Sequence, residues 1–173
     1  GTRFNWDRLT GDLWTCPAVQ ACLNIIHRNF PQAKLKVFKK TTGKNGKPEM
    51  VPVPDHPLIQ KLNRPNPVYD GETLKRQIID SLKMNGNAYA MIERTTGGAI
   101  AEIWWVPNDW VSPYTAPNSK LPMGVDVYKV TFGGRHMDIP PEDMIHLRDG
   151  CDYTDPRLGL SDLASASRDI NAL

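Results

Sequence analysis

NRPNPVYDGETLKRQIIDSLKMNGNAYAMIER, residues Asn63 to Arg94, decides the fold, because it holds in order a proline-stiffened approach, a capped helix, a glycine stop and a strand. Asp70 can accept hydrogen bonds from the free amides of a following first turn, and Glu72 sits where a helix dipole favours a carboxylate, so a helix starts near Gly71. Leu74, Ile78 and Leu82 recur every four residues with Ile79 beside them, which predicts one core stripe; Lys75, Arg76, Asp80 and Lys83 fall on the solvated side. Gly86 accepts the left-handed conformation that closes a helix, so the helix spans Glu72 to Asn85. Ala88, Ala90 and Ile92 then alternate with Tyr89, Met91 and Glu93, the pattern of a half-buried strand. Asn87 is placed to hydrogen-bond the turn it follows.

Upstream, six prolines between Pro48 and Pro67 remove backbone donors and favour stiff, extended chain, interrupted by a short helical turn from about His56 to Leu62 with Leu58 and Leu62 on one side. Before it, KLKVFKK, residues Lys34 to Lys40, alternates as a strand with one wet face, and GKNGKP makes a turn. Pro17 suits a first helical turn, and Val19, Cys22, Leu23, Ile26 and Phe30 make an apolar stripe, so an amphipathic helix runs from about Pro17 to Arg28. Residues 1–14 form a polar arm with Phe4, Trp6 and Trp14, bulky aromatics that dock on the domain or on a neighbour.

Downstream, Thr95 to Gly98 is a hairpin tip and Ile100 to Val106 the returning strand, with Trp104 and Trp105 on opposite faces. Pro107 ends it and Asn108-Asp109 turns into Trp110 and Val111. A strand through Tyr128, Val130 and Phe132 turns at Gly133-Gly134 and returns through Met137 and Ile139; a capped turn from Pro140 to Asp143 leads to the strand Met144 to Arg148. Asp149 to Pro156 is an acidic loop, and Ser161 can cap a last helix carrying Leu163, Ala166 and Ile170. The expected class is α+β: one antiparallel, hairpin-built sheet with packed helices, an amphipathic N-terminal helix, and a C-terminal helix that reads as truncated.

Six segments resemble, in register, the portal (head-to-tail connector) proteins of long-tailed bacteriophages. They are His56-Pro57-Leu58; Leu62 with Pro65 and Asn66; Gly86-Asn87-Ala88-Tyr89; Trp105-Val106-Pro107 before Asp109 and Val111; Ile145-His146-Leu147; and Gly159-Leu160-Ser161. They span most of residues 17–173. The resemblance implies a wing-like body over residues 31–158, preceded by an arm and helix in 1–30, with 159–173 starting a helix toward stem, clip and crown parts. It implies a structural subunit of a homo-oligomeric ring of about twelve copies with heterologous contacts, at one capsid vertex of the virion. Its implied partners are the capsid protein, the terminase large subunit of the packaging motor, and a head-completion or tail adaptor protein. The resemblance also implies that double-stranded DNA is packaged and ejected through the channel without sequence recognition. The implied place of synthesis is the host bacterial cytoplasm, and no cofactor is implied.

The remaining residues exclude more than they suggest. A net charge of +2 with 23% charged residues does not by itself announce nucleic acid or membrane, and no apolar run reaches spanning length. Cys16, Cys22 and Cys151, an odd number without metal spacing, read as small buried or incidental thiols. Lys34, Lys36, Lys39, Lys40, Lys44 and Lys47 form one basic cluster; a phosphate backbone would be attracted to it, while lysines on an exposed strand also protect an edge. The first four are the candidate DNA contacts. Pro48 stands where a phosphate-cradling loop needs a helix to begin, and Leu163 replaces the second glycine of a nucleophile elbow at Ser161. His146 with Asp149, Asp152 and Asp155 matches no calcium loop, and His27, His56 and His136 lack partners at a recognisable spacing. The portal reading therefore stands against two others: a nucleic-acid-binding domain using Lys34 to Lys47, and a hydrolase around Ser161 or His146. Neither catalysis nor a metal is expected.

Overall fold

Glycine stops and proline turns divide this chain into short elements, described here for residues 16–43, 45–121 and 123–161 of a computed structural model. Helix α1 spans Pro17–Asn29 and passes through a 3-10 turn, Phe30–Gln32, to a ribbon of β1 (Phe38–Thr42) and β2 (Pro48–Pro52). Helix α2 (Pro57–Asn63) and the central helix α3 (Gly71–Asn85) follow. Strands β3 (Asn87–Arg94), β4 (Ile100–Val106), β5 (Val111–Tyr114), β6 (Val127–Phe132), β7 (Arg135–Ile139) and β8 (Met144–Arg148) complete the described elements.

The expected helix and strand at the centre are present. Asp70 Oδ1 accepts from the Thr73 amide at 2.8 Å, and Gly86 ends α3 at φ +72° with its amide on the Leu82 carbonyl. The cap holds the Asp70 carboxyl below its ordinary range, chiefly through the Thr73 amide. Other expectations need correction. The strands form not one sheet but two three-stranded antiparallel sheets, ordered β4-β3-β8 and β5-β6-β7, beside the separate ribbon. Pro107 and the 3-10 turn Asn108–Trp110 carry the chain off the first sheet, and β8 returns to pair with β3 from the Asn87–Arg148 to the Met91–Met144 register.

Strand β3 is consequently buried on both faces at its start and is not the half-wet strand its alternation suggests. One face puts Ala90, with Ile103 of β4, against Leu74 and Ile78 of α3. The other puts Tyr89, with Val106 and Met144, against Val111, Tyr128 and Val130 of the second sheet. Helix, sheet and sheet thus stack as three layers. The indole of Trp105 donates to Ser81 Oγ at 2.9 Å across the first seam, and Trp104 points the other way onto Glu102, both rings half-buried.

The apolar stripe of α1 is only partly covered: Val19 and Leu23 pack on Met84 at the end of α3, while Cys22 and Phe30 stay exposed. With α1, the Phe30–Gln32 turn and the segment after β8 packed around it, α3 has fewer wet positions than its charges suggest. Asp80 pairs with His27, Lys83 with Asp149 at 2.8 Å, and Lys75 Nζ reaches the Pro31 and Ala33 carbonyls at 3.0 Å. In α2 it is Ile59 and Leu62 that turn inward while Leu58 is exposed, and Gly71 lets the two helices meet, since a Cβ there would lie 2.1 Å from the Leu62 carbonyl oxygen. The strand expected from Lys34 starts only at Phe38, opposite Pro52 at the end of β2. Cys22 and Cys151 are exposed and Cys16 half-buried, all three as free thiols. The helix expected after Ser161, and the N-terminal arm with Phe4, Trp6 and Trp14, lie outside the described residues.

A side chain at position 86 meets two obstacles: the left-handed backbone, and Leu160 and Ser161 backbone atoms 2.5 Å from the Cβ position. Gly86→Ala is expected to lower unfolding free energy by about 3 kcal/mol in a denaturant titration, and Gly86→Val by more.

Candidate functional site

Three strands of sequence meet just beyond the left-handed stop of α3. Leaving the helix, the chain presents the Gly86 carbonyl to the Asp149 amide at 2.8 Å, and Gly159 packs so closely that a Cβ would lie 2.0 Å from that same carbonyl oxygen. Asn87, buried, uses its whole amide. Oδ1 accepts from the Gly159 amide at 2.7 Å and faces His146 Nε2 at 3.0 Å; Nδ2 donates to the Asn85 carbonyl at 3.0 Å and the Gly159 carbonyl at 3.2 Å. The backbone carbonyl of Asn87 accepts from Asn108 Nδ2 at 2.8 Å. Ser161, only 2% exposed, donates its hydroxyl to the Lys83 carbonyl at 2.5 Å, closing the last turn of α3 from outside.

These contacts fix the histidine. Asn87 Oδ1 is an acceptor, so Nε2 of His146 carries the proton, and Nδ1 is left to accept from the Tyr128 hydroxyl at 3.1 Å. The ring stacks on Tyr89 with centroids 4.3 Å apart. Burial, assisted by the nearby Arg148 charge, pushes its pKa down to about 4, so the imidazole is neutral at pH 7. Six of the resemblance residues, Gly86, Asn87, Tyr89, His146, Gly159 and Ser161, therefore converge on one hydrogen-bonded node.

Pro65 and Asn66 form a second node. The Pro65 carbonyl accepts from the Ile103 amide at 2.8 Å and Asn66 Nδ2 donates to the Ile103 carbonyl at 2.9 Å, so this pair stands in for a strand beside β4. Asn66 Oδ1 also takes the Val68 and Tyr69 amides. Pro57 starts α2, and Pro107 borders the first node, between Val106, paired with Tyr89, and Asn108, bonded to the Asn87 carbonyl. The lysines Lys34, Lys36, Lys39 and Lys40 are exposed on β1 and the chain leading to it, distant in sequence from either node.

The polar groups of the candidate hydrolase residues are held by structural partners. The Ser161 hydroxyl is spent on a backbone carbonyl, and both His146 nitrogens are engaged by structural partners. In the acidic loop Asp149 pairs with Lys83, Asp152 holds the Thr154 amide and hydroxyl, and Asp155 pairs with Arg157 at 2.7 Å. Among the described residues no three His, Cys, Asp or Glu side chains group to hold a metal. The other histidines do have partners: His56 Nδ1 caps α2 through the Leu58 amide, His27 meets Asp80, and His136 faces the Thr131 hydroxyl at 3.0 Å. Sequence reasoning passes over Asn108, Tyr128 and Arg157. Arg157 reaches the Pro113 carbonyl and Thr115 hydroxyl of the second sheet. These are long-range contacts, and no local pattern reports them.

Two outcomes test the first node. Asn87→Ala leaves the Gly159 amide and carbonyl without their partner in a buried place and is expected to cost about 3 kcal/mol in chemical unfolding. For His146 the native pKa lies below the unfolded value, so the unfolded chain binds the extra proton. Stability is full above about pH 6.5 and falls as pH drops toward 4. Denaturation midpoints compared between pH 7 and pH 5 should drop more for the native chain than for His146→Gln.

By sequence, no curated protein matches the chain. Its fold is similar to solved structures of low identity. One is the neck of an empty gene transfer agent particle computed with C6 symmetry: TM-score 0.74, 19% identity, 99% of this chain and 44% of that one. A second is the neck of the native particle computed with C12 symmetry: TM-score 0.67, 19% identity, 94% and 39%. A third is an HK97 family phage portal protein from Corynebacterium diphtheriae: TM-score 0.57, 15% identity, 91% and 43%. The chain spans less than half the length of these structures. The family model described as phage portal protein matches residues 17–172, nearly the whole sequence, and the chain belongs to that family.

Proposed function

We propose that this chain is the wing-side part of a portal subunit, a structural component of a closed ring at one capsid vertex. The observation that carries the reading is the family match across residues 17–172. The fold shared with necks computed under C6 and C12 symmetry supports it. About twelve copies close the ring through heterologous contacts. Double-stranded DNA passes through it inward and outward, the terminase large subunit docks during packaging, and the capsid protein and a head-completion or tail adaptor protein bind around it. Residues 31–158 correspond to the wing-like body, with 1–30 before it and 159–173 after it.

In this role the protein is mechanical. The node at Asn87 ties the end of α3, the middle of the first sheet and the departing segment at Gly159 into one rigid unit, which suits a subunit that transmits load between its neighbours and its outgoing helix. Neither catalysis nor a cofactor is part of the proposal, and no base-reading side chain is needed for sequence-independent passage.

Native mass spectrometry and negative-stain imaging of the purified chain, beside a portal chain that includes it together with stem and crown parts, test the reading. The expected result is a closed ring in at least the longer chain. A longer chain that stays monomeric at high concentration overturns the proposal.

A further inference from the structure

The β1–β2 ribbon is an element without a companion. Two strands alone are marginal in water, yet this ribbon pairs with no other strand among the described residues and nearly every residue in it is exposed. Its register sorts the side chains. Hydrogen bonds at Val37–Val53 and Gly43–Lys47 leave Phe38–Pro52, Lys40–Met50 and Thr42–Pro48 as the pairs whose amides point outward. Two of the three outward positions on β2 are therefore proline, so that edge offers little to an added strand. What the ribbon presents is a face: Phe38, 46% exposed, Met50, 59% exposed, Pro48 and Pro52, with Lys40 among them. The opposite face is half-buried at Val37, Val53 and Thr41 and exposed at Lys39, Glu49 and Val51.

A complement for this face exists on the same chain. Glu93 and Glu102 stand directly opposite each other across β3 and β4, a like-charge pair that costs stability, and no ion pair joins either to a cation among the described residues. Beside them lies the half-buried indole of Trp104, whose Nε1 donates to Glu102 at 2.8 Å and whose ring meets Tyr69 edge-on. The ribbon face is apolar and basic; the end of the β3–β4 hairpin is aromatic and acidic.

We propose that the ribbon face of one copy docks on the Trp104, Glu93 and Glu102 patch of a second copy, with Lys40 placed against the two carboxylates. This proposal rests on the ring reading above and names one of its contacts. A heterologous ring contact requires two different surfaces on one subunit, and this pair supplies them with matched charge and matched apolar character.

The test mixes isotope-labelled and unlabelled chain at about 1 mM, where even weak self-association is populated, adds a zero-length carbodiimide, and maps the cross-links by mass spectrometry. The expected result is Lys40 joined to Glu93 or Glu102 between differently labelled chains. Lys40→Glu, and separately Glu93→Lys with Glu102→Lys, should each weaken self-association about tenfold at low salt, and mixing the two variants should restore it. Self-association with intermolecular cross-links only elsewhere overturns the assignment and leaves the ring reading standing. No self-association of this chain, with ring closure in the longer one, also overturns the assignment; monomers in both overturn the two together. Retention of duplex DNA that Lys40→Glu abolishes, without intermolecular cross-links, would assign the face to phosphate and overturn the proposal.

Discussion

The end of α3, the first sheet and the segment at Gly159 are tied together by the amide of Asn87. Its position is set by the left-handed turn at Gly86, which only a residue without a Cβ can make so close to the Leu160 and Ser161 backbone. From there one side chain holds the end of α3, the segment at Gly159 and the His146 ring of β8. The energetics explain why such a site tolerates little change. Each buried bond contributes about 1 kcal/mol net, but breaking it strands a partner that can no longer reach water, and that loss is larger.

The layers around the node follow from it. Since α3 ends in a sharp reversal, β3 is delivered directly onto the helix that precedes it, with Ala90 small enough to let Leu74 and Ile103 close over the strand. The opposite face of β3 is then free to carry Tyr89 into the second sheet. His146 sits at the seam between the sheets, stacked on Tyr89 and bonded to Tyr128, so a residue of β8 links both sheets to the end of the helix.

Much of the fold was legible because its signals are local. Asp70 as a cap, Gly86 as a stop, Pro17 in a first turn and the boundaries of Met144 to Arg148 all depend on residues within a few positions of one another. The number of sheets was not, because the alternation of β5 and β6 carries no label for the sheet it joins. The solvated side assigned to α3 held at Arg76 but not at its other charges, for a related reason: Lys75, Asp80 and Lys83 look exposed by type, but polar side chains satisfy distant carbonyls and charges once other segments lie alongside. As for the node, the sequence pointed to Gly86, Asn87, His146, Gly159 and Ser161 by family pattern. Their mutual hydrogen bonds cross as many as 72 positions and could not be inferred from spacing.

The Pro65-Asn66 pair has a topological effect. By occupying both hydrogen-bonding groups of Ile103 with one carbonyl and one side-chain amide, it terminates the sheet at the cost of two residues where a further strand would need about five. The first sheet is thereby prevented from growing sideways past β4 at that point. Copies of this chain held at high local density are denied a route to open-ended polymer there and are left with side-chain contacts, whose geometry can close on itself.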